Sequence, residues 1–297
     1  MVTKARFKKV KTIAVHNGSF HSDEVFAIAI LKLINPTFKV IRTRDEDKLK
    51  SVDMRIDVGG VYNEKTFDFD HHQESFSEIR ENKIPYAACG LIWKHFGNIL
   101  VKTDDELQFV DDKIIQQIDA DDNGIRVYDS KEISPYTLQH VMGTFAPSWS
   151  DKTADFDAGF NRAVKFAIGV IDSEIKRAKS QTKIKELLVK AIKKSNGDYI
   201  VLSKSCPWKN YIIENSSAKY VIYKGASENW HIQGVPISRD SFDTRKPFPK
   251  NWAGLRDVEL QEITGVKSAI FCHKNLFLSV CETKADAIKL VEIALEK

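Results

Sequence analysis

The chain has 297 residues, 42% hydrophobic and 29% charged, with 45 Lys and Arg against 41 Asp and Glu for a formal net charge of +4. This is enough apolar material for a core in about two domains, and it excludes a chain disordered throughout. No run of 18 apolar residues occurs, so no membrane-spanning helix is expected. Residues 12–15 are a short apolar run entering polar His16-Asn17-Gly18-Ser19, which predicts a buried strand leading into a loop. From Asp23 onward, Val25, Phe26, Ala29, Ile30 and Leu33 have helical spacing that stops at Asn35-Pro36. Residues 38–42 and 54–58 read as further strands, the second ending at Gly59-Gly60. Phe67 and Phe69 alternate with Asp68 and Asp70, the period of a half-buried strand. Helices are expected over 86–96 and 106–118. This order favours an α/β or mixed sheet covered by helices.

Two helical patterns fill 157–195: Phe160, Val164, Ala167, Ile168 and Ile171, then Ile184, Leu187, Leu188 and Ile192. They predict a helical connector over 157–196, between a first domain over 1–156 and a smaller α+β domain over 197–297. In the latter, 199–202, 211–213, 218–223, 231–235 and 269–271 read as short strands, and 284–295 as a closing helix. Charge is unevenly shared. Residues 1–160 hold 21 bases and 26 acids, whereas 161–297 hold 24 bases and 15 acids. An acidic half concentrates potential metal ligands, and a basic half suits a polyanion. Cys89, Cys206, Cys272 and Cys281 form no Cys-x-x-Cys pair. They read as small hydrophobes in a reducing compartment. The basic start, MVTKARFKKVK, has no apolar stretch of the secretory kind, so a cytoplasmic location is expected.

Four polar clusters follow predicted elements of the acidic half. They are His16, His21 and Asp23, with Glu24 beside them; Asp57; Asp70-His71-His72; and Asp119 to Asp122 before Asn123-Gly124. The first three fall after strands. Ligand sites in open α/β sheets gather at the carboxyl ends of strands, which places these clusters together if the strands are parallel. Alone, each has a bland reading: Asp23 as a helix cap, Asp70-His71-His72 as a solvated turn, Asp121-Asp122-Asn123-Gly124 as an ordinary turn. Together they are hard to explain as turns. Converging carboxylates repel unless cations join them. Carboxylates with imidazoles and no thiolate suit manganese, cobalt or zinc better than calcium. About six ligands exceed one tetrahedral site, and a pair of ions roughly 3.5–4 Å apart would use them all.

These clusters resemble the successive motifs of the melanocyte-proliferating-gene (Myg-type) exonuclease family, within the DHH phosphoesterase superfamily. The likeness runs on through Phe242-Asp243-Thr244-Arg245-Lys246-Pro247, Trp252 to Asp257 and Ile270 to His273. It implies a DHH-phosphoesterase-like sheet with flanking helices as the catalytic domain, a smaller C-terminal substrate-binding domain, and phosphodiester hydrolysis. For the Myg-type branch it implies a 3′→5′ exonuclease acting on RNA, with single-stranded RNA or a short oligonucleotide as partner. It further implies two divalent ions, manganese before magnesium, cobalt or zinc. Carried over by position, His16, His21 and Asp57 hold one ion. Asp23, Asp57, His71 and an acid of the fourth motif hold the other, with Asp119 chosen and Asp122 the alternative. The superfamily usually has aspartate where this chain has His21, which softens the site.

Asp70 is then expected to orient an imidazole and His72 to hydrogen-bond a phosphoryl or leaving oxygen. Arg245, Lys246, Arg256 and His273 are expected to hold substrate, with Phe248 and Trp252 either stacking bases or anchoring their loop in the core. Two other functions compete. One is a phosphoesterase for a nucleotide, short oligoribonucleotide or pyrophosphate. The other is a nucleic-acid-binding module with a vestigial metal site.

Overall fold

The computed structural model describes residues 4–126, 128–129, 132–241 and 243–297. Phe242, part of the C-terminal motif quoted above, lies outside them. The chain divides into two compact units, 1–180 and 181–297.

The first unit begins with a helical turn, α1 (Lys4–Phe7), followed by β1 (Thr12–Val15), α2 (Ser22–Ile34), β2 (Lys39–Arg42), α3 (Glu46–Lys50) and β3 (Met54–Ile56). Then come β4 (Tyr62–Asn63), β5 (Asp68–Phe69) and α4 (Ala88–Phe96). A continuous helical run follows: α5 (Asp104–Val110), a π-helical stretch (Asp111–Ile115) and α6 (Gln116–Asp122). The expected helix over 106–118 thus reaches Asp122. α7 (Leu138–Gly143) completes the short elements.

The five strands form one sheet in the order β2-β1-β3-β5-β4. β1 is parallel to β2 and β3, and β3 is parallel to β5; only β4 runs antiparallel. β1, β3 and β5 therefore end at one edge. α2 is buried from Ser22 through Leu31, so it reads as apolar all round rather than amphipathic. The expected alternation at 67–70 is not found. Asp68 and Asp70 are as buried as Phe67 and Phe69, because Arg55 and Thr66 engage Asp68 and the Gly60 amide engages Asp70.

The two helical patterns over 157–195 are one helix, α8 (Phe156–Lys193). Phe160, Ala163, Val164, Ala167, Ile171 and Ile175 keep one face in the first unit's core. Leu188 and Ala191 join a cluster of the second unit.

The second unit continues with β6 (Tyr199–Val201), α9 (Lys209–Asn215), β7 (Tyr220–Lys224) and β8 (Trp230–Gly234). α10 (Asp257–Thr264), β9 (Ala269–Cys272), β10 (Leu278–Cys281) and α11 (Lys284–Glu296) end it. Its sheet has the order β6-β7-β8-β10-β9, parallel only between β6 and β7. The strand expected at 211–213 is helix α9. Trp208 and Ile212, one turn apart, are buried with Leu188, Leu202 and Val221, and that packing overrides local strand propensity. All four cysteines are free; Cys89, Cys272 and Cys281 are buried and Cys206 half-buried. Among the described residues no helix is long and apolar enough to cross a membrane.

Gly90 in α4 marks a close approach. A Cβ there would lie 1.8 Å from Asp119 Oδ2 and 2.9 Å from an Arg80 guanidinium nitrogen. Glycine to alanine inside a helix ordinarily stabilises by about 1 kcal/mol. Here Gly90→Ala should destabilise by about 1–3 kcal/mol through overpacking, read as a lowered denaturant midpoint.

Candidate metal centre

His16 follows β1 directly and is buried. Its Nε2 lies 3.1 Å from Glu24 Oε1 and 3.4 Å from Asp57 Oδ2. Glu24 is the third residue of α2, and its carboxylate accepts the His21 amide at 3.1 Å, a reciprocal cap that fixes the start of the helix. The His21 ring stands 5.6 Å from the His16 ring, centroid to centroid. Asp57 follows β3 with φ 53°, a left-handed conformation unusual for a non-glycine residue. Strain of this kind collects at functional sites.

On the other side of Asp57, His71 Nε2 lies 3.6 Å from Asp57 Oδ1, 4.0 Å from Asp23 Oδ2 and 3.1 Å from Asp122 Oδ2. Three groups of side chains thus have potential ligand atoms mutually within 4.8 Å: His16, His21, Glu24 and Asp57; Asp57, His71 and His72; Asp23, His71 and Asp122. Asp57 links the first two groups and His71 the last two. Asp57 Oδ1 and His71 Nε2 are buried and make no well-aligned hydrogen bond, although carboxylate and imidazole neighbours stand 3.1–3.6 Å away. Buried polar atoms left in this way are costly, and the cost is met when a cation takes them as ligands. The donor set fits a divalent ion, and the residues of these groups are those that could hold one.

The electrostatics say the same. Burial opposes charge on the His16 ring, but Asp57 and Glu24 outweigh it and raise its pKa to about 10. Burial also opposes charge on His71, which Asp122, Asp57 and Asp23 raise to about 11. Burial would lift Asp57, yet the two imidazoles hold it well below the usual carboxylate range. Asp23 is pushed far up by burial, with Asp122 and Asp57 adding to the effect, and Glu24 is raised by burial. These are the marks of excess negative charge in a poorly solvated space.

The fourth acid is where geometry and expectation part. Asp119 is fully buried and is absent from the three groups. Its Oδ2 is 2.7 Å from an Arg80 nitrogen, and its Oδ1 accepts the Gly90 amide at 2.9 Å. Asp122, one turn later on α6, meets His71 instead. Burial raises the Asp119 pKa to about 7 against the pull of Arg80. Asp23 has a second duty like that of Asp119. It accepts the Ala88 and Cys89 amides at 2.9 and 2.6 Å, so the two aspartates cap α4, whose N-cap residue Ala87 has no side chain for the task.

Asp70 contacts His72 rather than His71. Its Oδ1 accepts the His72 amide at 3.1 Å and lies 2.8 Å from His72 Nδ1, while its Oδ2 accepts the Gly60 amide at 2.6 Å. The His72 side chain is 62% exposed. A cavity of about 800 Å³ opens here, with His16, His21, Asp57, Asp70 and His72 in its wall.

The family model of the MYG1 exonucleases, described as an uncharacterised protein family (UPF0160), matches residues 12–295. The chain belongs to this family. It is 31% identical to the MYG1 exonuclease of Mus musculus over 324 aligned residues, covering 95% of this chain and 84% of that one. It is 32% identical to a MYG1 protein of Saccharomyces cerevisiae, with 98% of each chain covered. A MYG1 protein of Dictyostelium discoideum is 31% identical, with 93% and 94% covered. No solved structure matches the chain.

The family resemblance extended to the C-terminal basic loop, where the structure engages Arg245 and Lys246 with backbone carbonyls. Arg245 donates to the carbonyls of Ile213, Ser216 and Ala218 at 2.7–2.9 Å, closing the end of α9. Lys246 Nζ donates to Leu295 O at 2.9 Å. Arg256 lies over the Phe271 ring at 4.5 Å. His273 Nδ1 accepts the Asn275 amide at 3.0 Å, and its ring packs on Phe277. Phe248 and Trp252 are buried and stack on each other. They anchor the loop and present no face to a base. Glu24 and Asp122 are the residues that spacing underrated. Glu24 could have been found from its capping position, three residues after His21.

Two outcomes follow. Asp122→Asn should lower affinity for manganese at least tenfold with little change in thermal stability, whereas Asp119→Ala should cost about 3–5 kcal/mol by leaving Arg80 short of a buried partner. Calorimetric titration and denaturant melts of both variants check this. Because His16 and His71 keep their protons to about pH 10 and 11, and ligation requires neutral imidazole, metal binding should expel protons at pH 7. Affinity should therefore rise with pH, up to tenfold per unit for each proton released. Titration in buffers of different ionisation enthalpy measures the proton count.

Proposed function

We propose that this chain is a metal-dependent nuclease of the DHH phosphoesterase type, a 3′→5′ exonuclease that hydrolyses the phosphodiester bonds of single-stranded RNA with two divalent ions. One observation carries the reading: two sets of imidazoles and carboxylates meet at the buried Asp57, on the edge where β1, β3 and β5 end. Its support is the donor chemistry, the poorly satisfied Asp57 Oδ1 and His71 Nε2, and membership in a family whose mouse and human members are named exonucleases. The RNA preference and the polarity follow from the family resemblance.

His16, His21, Glu24 and Asp57 would hold one ion; Asp57, Asp23, His71 and Asp122 the other. The mixture of carboxylate and imidazole without thiolate suits manganese, cobalt or zinc, and the preference for manganese among them follows from the family resemblance. When bound, such ions supply Lewis acidity at the phosphoryl oxygens and a water acidified toward pH 7. The rest falls to the chain. Asp57, shared between the sets, would contribute to both positions. Asp70, itself held by the Gly60 amide, lies 2.8 Å from His72 Nδ1 in the cavity wall and would favour the tautomer with its proton on Nδ1, leaving Nε2 for substrate. There His72 hydrogen-bonds the phosphoryl or leaving oxygen, the part that imidazole plays in general acid–base catalysis. Asp119 acts by positioning, since it holds the Gly90 amide of α4, next to the Ala88 and Cys89 amides that hold Asp23.

The test is turnover of a 5′-labelled single-stranded RNA 20-mer by metal-stripped protein, with manganese, magnesium or zinc restored. A descending ladder that needs metal is expected, with Asp57→Asn reducing the rate at least 10³-fold and His72→Ala by about 10²–10⁴-fold. Hydrolysis confined to pyrophosphate or a dinucleotide would replace the reading with a small-substrate phosphoesterase. Metal binding without turnover of any phosphoester would replace it with a binding module.

A further inference from the structure

The arginines near the first sheet are mostly consumed by carboxylates. Arg42 pairs with Asp157 at 2.9 Å, Arg55 with Asp68, and Arg80 with both Asp111 and Asp119. Arg44 is different. It stands two residues beyond β2, exposed, in the wall of the cavity that also holds His16, His21, Asp57, Asp70 and His72. Its guanidinium donates to the backbone oxygen of Asn17, and it reaches Asn17 Oδ1 at 3.2 Å. Among the described residues no carboxylate pairs with it. It is thus tethered to the loop that carries His16, and its positive charge is left uncancelled beside a space crowded with negative charge.

The surrounding cavity has the make-up of a nucleotide site. Leu49 and Val58 supply apolar wall, while Lys50, the last residue of α3, is paired with Asp47 at 3.1 Å and Glu46 also lines the cavity, so among the described residues Arg44 is the cation there without a carboxylate partner. β1 sits between β2 and β3, so the chain leaves it to one side and then returns to the other. In open α/β sheets the crevice at the carboxyl ends, where strand order switches in this way, is where ligands bind. Guanidinium is suited to phosphate, since its planar fork gives two parallel charge-assisted hydrogen bonds.

We infer that Arg44 is a positioning residue that holds the phosphodiester next to the one being cleaved, with the intervening nucleoside against Leu49 and Val58. This rests on the nuclease reading and deepens it by placing the substrate's second phosphate in the first unit, at a residue other than those of the C-terminal basic loop. A second anionic group is then what distinguishes a preferred oligonucleotide from a simple phosphodiester.

Steady-state kinetics with the manganese-loaded protein test it. Arg44→Ala should raise KM for a ribonucleotide trimer at least tenfold while kcat changes less than threefold, and Arg44→Lys should recover part of the loss. The loss should be much smaller on bis(p-nitrophenyl) phosphate, which has one phosphate only. An unchanged KM for the trimer, or equal losses on both substrates, would overturn the assignment. Should the wild-type protein cleave neither, the nuclease reading falls. Fluorescence anisotropy of a labelled single-stranded RNA then decides alone, with Arg44→Glu weakening binding at least tenfold if the inference holds and leaving it unchanged if it does not.

Discussion

Asp23, Glu24, Asp57 and Asp122 are brought to one edge of a sheet together with His16, His21, His71 and His72, and the carboxylates there repel each other in a space from which water is largely excluded. That repulsion is the constraint on which the first unit is built. It is balanced from two directions. Imidazoles reach in from the loops after β1 and β5 and hold protons far above their usual range. Backbone amides reach in from the start of α4 to Asp23 and from the start of α2 to Glu24. A divalent ion would take the place of the protons without rearranging the amides, because its ligands are already held from behind.

The start of α4 shows how a site of this charge is made rigid. Its first amides have no cap of their own, so Asp23 and Asp119 supply one from two other helices. Arg80 then offsets the charge of Asp119 and ties it to Asp111. Gly90 permits the approach, since any side chain there would occupy the place of the Asp119 carboxylate. A carboxylate used in this way is structural in its immediate contacts and functional through its neighbour. Asp23 faces both ways at once, with its oxygens on the α4 amides and His71 4.0 Å from Oδ2.

The cations are sorted just as sharply. Most arginines of the first unit, and Arg245, Lys246 and Arg256 of the second, are engaged with carboxylates, carbonyls or aromatic rings. Arg245 closes a helix end and Arg256 covers a phenylalanine. A high count of basic residues in a sequence segment therefore says little about where a polyanion would sit. What matters is which charge has been left without a partner and what it faces.

Much of this was legible in the linear chain. β1 begins and ends where the apolar run does, and the helix after it stops at Asn35 because Pro36 cannot continue it. His16, His21, Asp57, His71 and the acidic end of α6 stand out because polar clusters after apolar runs are local patterns. The parallel pairing of β1, β3 and β5 had to be assumed, and it alone turns separate clusters into neighbours. Asp119 and Asp122 lie one turn apart on the same helix, so spacing ranks them equally. Only the packing of α6 against α4 turns one toward Arg80 and the other toward His71. Tyr211 to Ile213 have strand-like composition, yet Trp208 and Ile212 need a helix to be buried together. Residue type settled which chemistry was possible. The choice of residues to perform it waited on contacts between parts of the chain far apart in sequence, where burial and charge pairing outweigh local preference.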